Sequence, residues 1–198
     1  SMELIAPHLA ELGLDEAATK VYSRLIHASG DVGYAPIIRV HPEAIAVAMD
    51  ALRKGAHIYT DVEMVRTGIN KKKLASFGGE VHCLVADPDV AVRAKQEGIT
   101  RSMIAMRQFG KDLNGSIVAI GNAPTALFEV LRMVREEGIR PACIVGIPVG
   151  FVGAAESKAE LAANGIVPYI TVEGTKGGSP IAAAAVNAMM YLIDNTRP

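Results

Sequence analysis

The sequence is poor in the residues that mark several classes of protein. It contains no tryptophan, only two cysteines and 5% aromatic residues. Cys83 and Cys143 lie far apart in separate apolar runs, which is typical of buried thiols rather than of a disulfide framework or a metal-binding cluster. We therefore expect the chain to work in a reducing compartment, the cytoplasm.

The sequence also lacks an excess of charge of either sign and any long hydrophobic run. Its 20 basic and 21 acidic residues leave a net charge of -1, and the longest basic run, "KKK" at 71–73, is expected to be a solvated helix start. We expect no nucleic-acid partner. No apolar stretch reaches the roughly 18 residues of a membrane span, and no signal peptide is visible, so we expect no membrane partner.

Five short runs have the character of buried strands. They are rich in β-branched residues and almost continuously apolar, which suits parallel strands covered on both faces. The runs are 56–60, 80–85, 116–121, 142–147 and 167–172. Patterns typical of helices lie between them, and the helix after the third run begins near Pro124 with Asn122 as its expected cap.

Repeated strand-then-helix order predicts an α/β fold. We expect a three-layer, Rossmann-like sandwich with a mostly parallel sheet of about five strands. Two amphipathic helices, roughly 15–29 and 42–54, precede the sheet. A single domain is predicted over 1–198, in which Ser1 and Met2 are expected to be a cloning remnant.

Ligands of such sheets bind beyond the carboxyl ends of the strands. Four strand ends there carry "TD", "GNAPT", "GIPVGFVGAAESK" and "EGTKGGSP". Glycine lets a ligand approach the backbone closely, and helix starts bind anions. We therefore expect a ligand with several negative groups. The candidate binding residues at these ends are Asp61, Asn122, Thr125, Gly150, Phe151, Ser157, Lys158, Gly178 and Ser179.

Two alternatives remain open at this point. Glycine after a parallel strand often serves only the turn. The second alternative is a Rossmann-type nucleotide-binding oxidoreductase. Gly146, Gly150 and Gly153, however, form G-x-x-x-G-x-x-G and not the dinucleotide fingerprint G-x-G-x-x-G. Neither a P-loop nor a G-x-S-x-G nucleophile elbow occurs.

The five histidines do not form a metal motif by spacing, so no metal site is predicted. His57 and His82 lie in strand runs, where a structural role is expected, and His41 directly precedes a helix. Periodicity places His27 beside the stripe of Lys20 and Arg24, as a solvated side chain. The residues alone therefore indicate a pocket for a polyanion, with its acid or base unassigned.

Five segments together resemble one family. "IHASGD", "TDVEMVRTGI", "ITRS", "GNAPTALFEVL" and "GIPVGFVGAAESK" are similar to the precorrin-8X methylmutases, also called precorrin isomerases or cobalt-precorrin-8 methylmutases, and the resemblance runs over about 22–187. An Arg-Ser-Phe-like motif, which members of that family commonly carry ahead of the first long helix, does not occur in residues 2–24.

The resemblance implies an isomerase of cobalamin biosynthesis. It moves a methyl group between adjacent carbons of ring C of precorrin-8X or cobalt-precorrin-8, giving hydrogenobyrinate or cobyrinate. The family works without a cofactor, as a homodimer, and its "IHA" histidine, which is His27 here, is the acid that protonates the macrocycle. A non-catalytic corrinoid carrier remains an alternative.

This chemistry agrees with the residues. A histidine, with an unperturbed pKa near 6.5, can donate a proton and take it back near neutrality. The tetrapyrrole substrate carries many carboxylate arms, which suit Arg101 with Ser102 beside it and several helix starts. A wide plate at the rim of a small sheet also favours a site shared by two subunits. The N-terminal helices and the loop at 61–68 are the candidate partner surface, and in "DVEMV" Val62, Met64 and Val65 are candidates for burial either between the subunits or in the core of the monomer.

Overall fold

The computed structural model describes residues 1–195. Within them the predicted α/β sandwich with its mostly parallel sheet is confirmed. The strands are β1 Ile38–Val40, β2 Ile58–Thr60, β3 Val81–Cys83, β4 Ile117–Ile120, β5 Cys143–Gly146 and β6 Tyr169–Val172. The helices are α1 Met2–Leu9, α2 Glu16–Ser29, α3 Ala44–Arg53, α4 Glu63–Gly68, α5 Lys71–Ser76, α6 Pro88–Glu97, α7 Arg101–Phe109, α8 Pro124–Glu136, α9 Ala154–Ala162 and α10 Ser179–Asn195.

The sheet has six strands in the order β1-β6-β5-β4-β2-β3. The five predicted strands are all present and run parallel to one another. The sixth, β1, was not expected. It pairs antiparallel with β6, with Arg39 opposite Thr171, and covers the edge that β6 would otherwise expose.

Alternating side chains of the central strands pack into two different hydrophobic cores. Ile117 and Ala119 of β4 belong to the core shared with α2, α3 and α10. Val118 and Ile120 belong to the core shared with α7 and α8. Because successive side chains of a strand point to opposite faces, this alternation places helices on both faces of the sheet. The three layers result from it.

The predicted strand positions of the two cysteines and the predicted helix start at 71–73 are confirmed. Cys143 is buried in β5, Cys83 is half-buried in β3, and both are free thiols. Burial raises the pKa of the Cys143 thiol to about 12. The basic run at 71–73 begins α5, with Asn70 as the N-cap. Among residues 1–195, no helix is long and apolar enough to cross a membrane.

The residues offered for burial in "DVEMV" divide between the two alternatives. Val65 is fully buried in the core of its own chain. Val62 packs against the same core. Met64 is 66% exposed and is the one of the three that faces solvent.

Candidate functional site

Three of the predicted loops meet at the carboxyl edge of the sheet. The N–H of Gly178 donates to the carbonyl of Ile147 at 2.9 Å, and the N–H of Gly150 donates to that of Thr175 at 3.0 Å. A Cβ at Gly121 would lie 2.6 Å from the Cα of Ser179. No side chain fits there, so glycine at 121 allows the loop after β4 to contact the start of α10.

The C-terminal end of α2 joins these loops around an open cavity of about 360 Å³. Its walls are Ala28, Ser29, Asp31, Tyr34, Val149, Lys176, Gly177, Pro180 and Ile181. Asp31 accepts a hydrogen bond from the Lys176 ammonium at 2.5 Å, which lowers the pKa of the Asp31 carboxyl. The segments "IHASGD", "GIPVG" and "TKGGSP" therefore line one cleft, although more than a hundred positions separate the first from the others.

His27 stands in the last turn of α2, with its side chain exposed. The helix begins at the capping carboxylate of Asp15 and ends at Gly30, whose φ of 64° is left-handed. This ending places His27 next to Ala28, a residue of the cavity wall. His41 has a local role instead, because its Nδ1 accepts the N–H of Glu43 at 3.1 Å just before α3.

Asp61 is fully buried, and both of its carboxylate oxygens are occupied. Oδ1 accepts the backbone N–H of Gly121 at 3.0 Å, and Oδ2 accepts those of Asn122 at 3.0 Å and Ala123 at 2.7 Å. Burial raises the pKa of Asp61, and these three N–H groups oppose the rise. Asp61 thus lies where the sequence places it, at the end of β2, but it holds the loop before α8.

The same hydrogen bonds correct the expectation that Asn122 caps α8. The N-cap residue is Ala123, and no side chain caps the helix. Since Pro124 supplies no N–H and Asp61 already binds the N–H groups before it, a capping amide is not needed. Asn122 is exposed at the rim of the sheet.

Ser157 and Lys158 are buried rather than exposed on the rim. The Ser157 hydroxyl donates to the carbonyl of Ala154 at 2.9 Å, within α9. The Lys158 ammonium donates to the backbone carbonyl of Lys176 at 2.5 Å, and burial lowers the pKa of Lys158 to about 8. Lys158 therefore holds the loop before α10, whereas Ser157 bonds only within its own helix.

Arg101 and Ser102 begin α7, which starts at the capping hydroxyl of Thr100. That hydroxyl also lies 2.9 Å from the hydroxyl of Thr125, so the starts of α7 and α8 adjoin. Ser102 is buried, whereas Arg101 is exposed and has no described ion pair or hydrogen bond in residues 1–195. Its guanidinium is available for an anion.

The tip of the loop after β5 is apolar and exposed. Phe151 is 93% and Val152 is 90% exposed. Gly150 and Gly153, which have φ values of 139° and 83°, flank this pair and permit the sharp turn. A Cβ at Gly153 would lie 3.4 Å from Pro124, so the tip rests against the start of α8.

One cluster of functional side chains was not predicted. His57 and His82, expected to be separate structural residues, lie with Nδ1 and Nε2 only 2.8 Å apart, and Glu80 is beside them. Side chains alternate between the two faces of a strand, so residues 57 and 59 of one run share a face, and residues 80 and 82 of the next run share a face. The sequence therefore contained a signal for each pair. Only the register of β2 with β3 shows that the two pairs meet.

Comparison with known proteins identifies the relatives of this chain. The family model described as precorrin-8X methylmutase matches residues 1–192. The chain is 42% identical over 195 residues to the cobalt-precorrin-8 methylmutase of Priestia megaterium, covering 98% of this chain and 86% of that protein. It is 45% identical over 178 residues to the precorrin-8X methylmutase of Pseudomonas aeruginosa, covering 89% and 85%.

Solved structures agree with this. A "precorrin-8X methylmutase related protein" superimposes with a TM-score of 0.90 at 37% identity, covering 97% of this chain and 100% of that one. A precorrin-8x methyl mutase from Thermus thermophilus superimposes with a TM-score of 0.89 at 36% identity, covering 98% and 93%.

Proposed function

The chain belongs to the precorrin-8X methylmutase family, and from that premise we propose how its cleft binds and protonates a tetrapyrrole. It is a precorrin-8X or cobalt-precorrin-8 methylmutase, an isomerase of cobalamin biosynthesis. These relatives support neither a nucleotide-binding oxidoreductase nor a non-catalytic carrier. The roles of individual residues, the assembly and the form of the substrate are proposed on that basis.

The convergence of three segments on one cleft carries the proposal. The end of α2 faces the loops after β5 and β6 across the cavity. The walls combine the small residues Ala28, Ser29 and Gly177 with apolar side chains such as Val149 and Ile181, which suit a flat macrocycle lying against them. The Asp31–Lys176 contact and the two loop hydrogen bonds hold the walls in register before substrate arrives.

His27 is the proposed general acid. A methyl shift between neighbouring carbons requires no nucleophile, but it requires the macrocycle to be protonated at one position and later deprotonated. His27 is exposed and directly precedes Ala28 of the cavity wall, and we propose that its imidazole reaches the bound plate. Imidazole titrates near neutrality, so one side chain can both donate the proton and recover it.

The carboxylate arms of the substrate are proposed to meet the polar rim. Arg101 offers a guanidinium that is unpaired within residues 1–195, and the exposed Asn122, half-buried Thr125 and helix starts near them offer further donors. We propose that Ser102, Gly178 and Ser179, which are buried at the starts of α7 and α10, meet the substrate from beneath this rim. Asp61 and Lys158 are proposed to hold the loops, and Ser157 to support α9, without touching substrate, because their polar atoms are already engaged.

A homodimer in the cytoplasm is also proposed. Ligand pockets commonly hold about 300–1,000 Å³, so a cavity of about 360 Å³ is small for a tetrapyrrole. The exposed tip of Phe151 and Val152 is suited to contact either the plate or a partner subunit. The free Cys83 and Cys143 thiols support a reducing compartment.

The decisive experiment is turnover with both forms of the substrate. The protein is incubated with precorrin-8X and, separately, with cobalt-precorrin-8, and visible spectra monitor formation of the corrin chromophore. We expect conversion of at least one form, and the ratio of the two values of kcat/KM assigns the natural substrate. Tight binding of the corrin products without conversion of either substrate would contradict the proposed function and leave a carrier.

A further inference from the structure

We propose that His57, His82 and Glu80 form a binding site for one divalent transition-metal ion, separate from the methylmutase cleft. The three residues lie on one face of the β2–β3 pair, at the edge of the sheet. His57 stands four positions before Asp61, so the site is about 13 Å along the strand from the cleft edge. The inference does not depend on the reaction proposed above.

The distances between ligand atoms suit one ion. His57 Nδ1 and His82 Nε2 are 2.8 Å apart, His82 Nε2 and Glu80 Oε2 are 4.0 Å apart, and all three ligand atoms lie within 4.8 Å of one another. In a tetrahedral zinc site with Zn–N of about 2.0–2.1 Å, two nitrogens are about 3.3 Å apart. Separation of the two nitrogens by about half an ångström, with the rings turned so that both lone pairs point to one centre, therefore admits an ion.

The strands hold these side chains in place. Tyr59 pairs with His82 in the β2–β3 register, and its ring stacks on the His82 ring with centroids 4.9 Å apart. The His57 and His82 rings are nearly parallel, at 5°. Tyr59 is fixed in turn by an edge contact with Phe109. The two imidazoles are thus oriented by the sheet itself, which lowers the entropy cost of binding an ion.

The hydrogen bond between the rings already requires one free nitrogen lone pair. One of the two facing nitrogens carries the proton and the other accepts it. An ion needs both lone pairs, so the proton on the facing nitrogen must move to the other nitrogen of its own ring. His57 then binds through Nδ1 and His82 through Nε2, both as neutral imidazoles, and no net proton is released.

The donors indicate which ions bind. Two imidazoles and one carboxylate favour Zn²⁺, Ni²⁺, Co²⁺ and Cu²⁺ over Mg²⁺ and Ca²⁺, which prefer oxygen ligands. The side chain of Glu80 is 74% exposed and that of His82 is 34% exposed, so water can complete the coordination. A bound ion would link the short edge strand β3 to β2 and stabilise the folded chain.

Titration of the full chain with ZnCl₂ tests the proposal. After removal of metal with a chelator, isothermal calorimetry is expected to show one strong equivalent. Nitrogen-15 NMR should show His57 Nδ1 and His82 Nε2 shifting while their partner nitrogens stay protonated. Loss of even an outer partner of a ligand typically costs about ten- to a hundredfold in metal affinity. We therefore expect His57→Ala/His82→Ala to weaken binding at least about tenfold, with Glu80→Gln giving a smaller loss.

Two controls make the result specific. His8→Ala removes an exposed histidine outside the cluster and should bind Zn²⁺ as the wild type does. Glu80→Gln changes an exposed side chain, so it should fold and retain methylmutase turnover. Unchanged affinity in the double variant, or NMR shifts at other histidines only, would overturn the proposal, as would the absence of saturable binding by the wild type.

Discussion

The ammonium of Lys158, a side chain only 1% exposed, donates a hydrogen bond to the backbone carbonyl of Lys176 at 2.5 Å. The side chain of Lys176 in turn donates to Asp31. A buried lysine in α9 therefore supports the loop that pairs with the end of α2, next to His27. The "ESK" segment reaches the cleft through this backbone contact.

The buried ammonium should make stability depend on pH. The pKa of Lys158 is about 8 in the folded chain against an ordinary 10.5. Between these values the unfolded chain binds more protons at this position than the folded chain, so the contribution to the free energy of unfolding rises with pH. It is constant below pH 8 and above pH 10.5. Urea unfolding from pH 7 to 10.5, compared with Lys158→Met, measures this contribution.

The comparison must be made as a difference between the two proteins. Cys143 titrates in the opposite direction, because its raised pKa makes stability fall as pH rises above 9. That contribution is the same in the wild type and in Lys158→Met, so it cancels. A difference in unfolding free energy that stays flat from pH 8 to 10.5 would show that Lys158 is not desolvated in the folded chain.

His27→Ala should lose turnover while keeping ligand affinity. A positioned acid contributes about 10²–10⁴-fold to rate, so we expect a fall in kcat of at least about a hundredfold. Because the side chain is exposed, the unfolding midpoint and the Kd of the corrin product should change little. His41→Ala, at the start of α3, is the matched control. Normal turnover in His27→Ala with inactive His41→Ala would reverse the assignment.

Arg101→Ala should mainly weaken the binding of the corrin product, whereas His27→Ala should mainly lower the rate. A hydrogen bond to a charged group is worth about 1.5–3 kcal/mol, which corresponds to about ten- to a hundredfold in the Kd of the corrin product. Arg93→Ala, which removes an exposed arginine paired with Glu97 on α6, is the control. Equal product affinities in Arg101→Ala and the wild type would remove Arg101 from the site.

The sequence predicts the regular parts of this fold well and its long-range contacts poorly. The inner strands β2, β4, β5 and β6 are recognisable because they are short apolar runs that the fold buries, and β3 is recognisable from its run although it is a half-buried edge strand. The strand β1 is only three residues long and half-solvated, so its pattern of apolar and polar residues cannot be distinguished from that of a loop. The position of Asp61 at a strand end was predictable, but the N–H groups that occupy it lie some sixty positions later.

Because these N–H groups occupy the carboxylate of Asp61, a substitution there can distinguish a structural role from a substrate-binding role. In Asp61→Asn an amide N–H would face backbone donors, leaving a buried group unsatisfied at a cost of about 1–3 kcal/mol. We expect a fall of that size in the free energy of unfolding, measured in urea. Asp50→Asn, in an exposed pair with Lys54, should change it little. An unchanged stability with weaker corrin binding would instead mean that Asp61 contacts the substrate.

The last prediction concerns assembly and depends on the tip of the loop after β5. Phe151 and Val152 are almost fully exposed, which is costly for apolar side chains unless a ligand or a second subunit covers them. If two subunits build the pocket together, binding and dimerisation are linked, so the corrin product should stabilise the dimer. Light scattering with and without product measures this.

Phe151→Ser/Val152→Ser should then weaken both the dimer and the product affinity. Val92→Ser, at a 55% exposed position on α6, should change neither, because it removes exposed apolar surface far from the cleft in sequence. Measuring both dimer stability and product affinity shows whether the tip contacts the plate or the partner subunit. Loss of affinity with an intact dimer would place the tip on the plate alone, and a stable monomer that binds product at full affinity would contradict a shared site while leaving the role of His27 untouched.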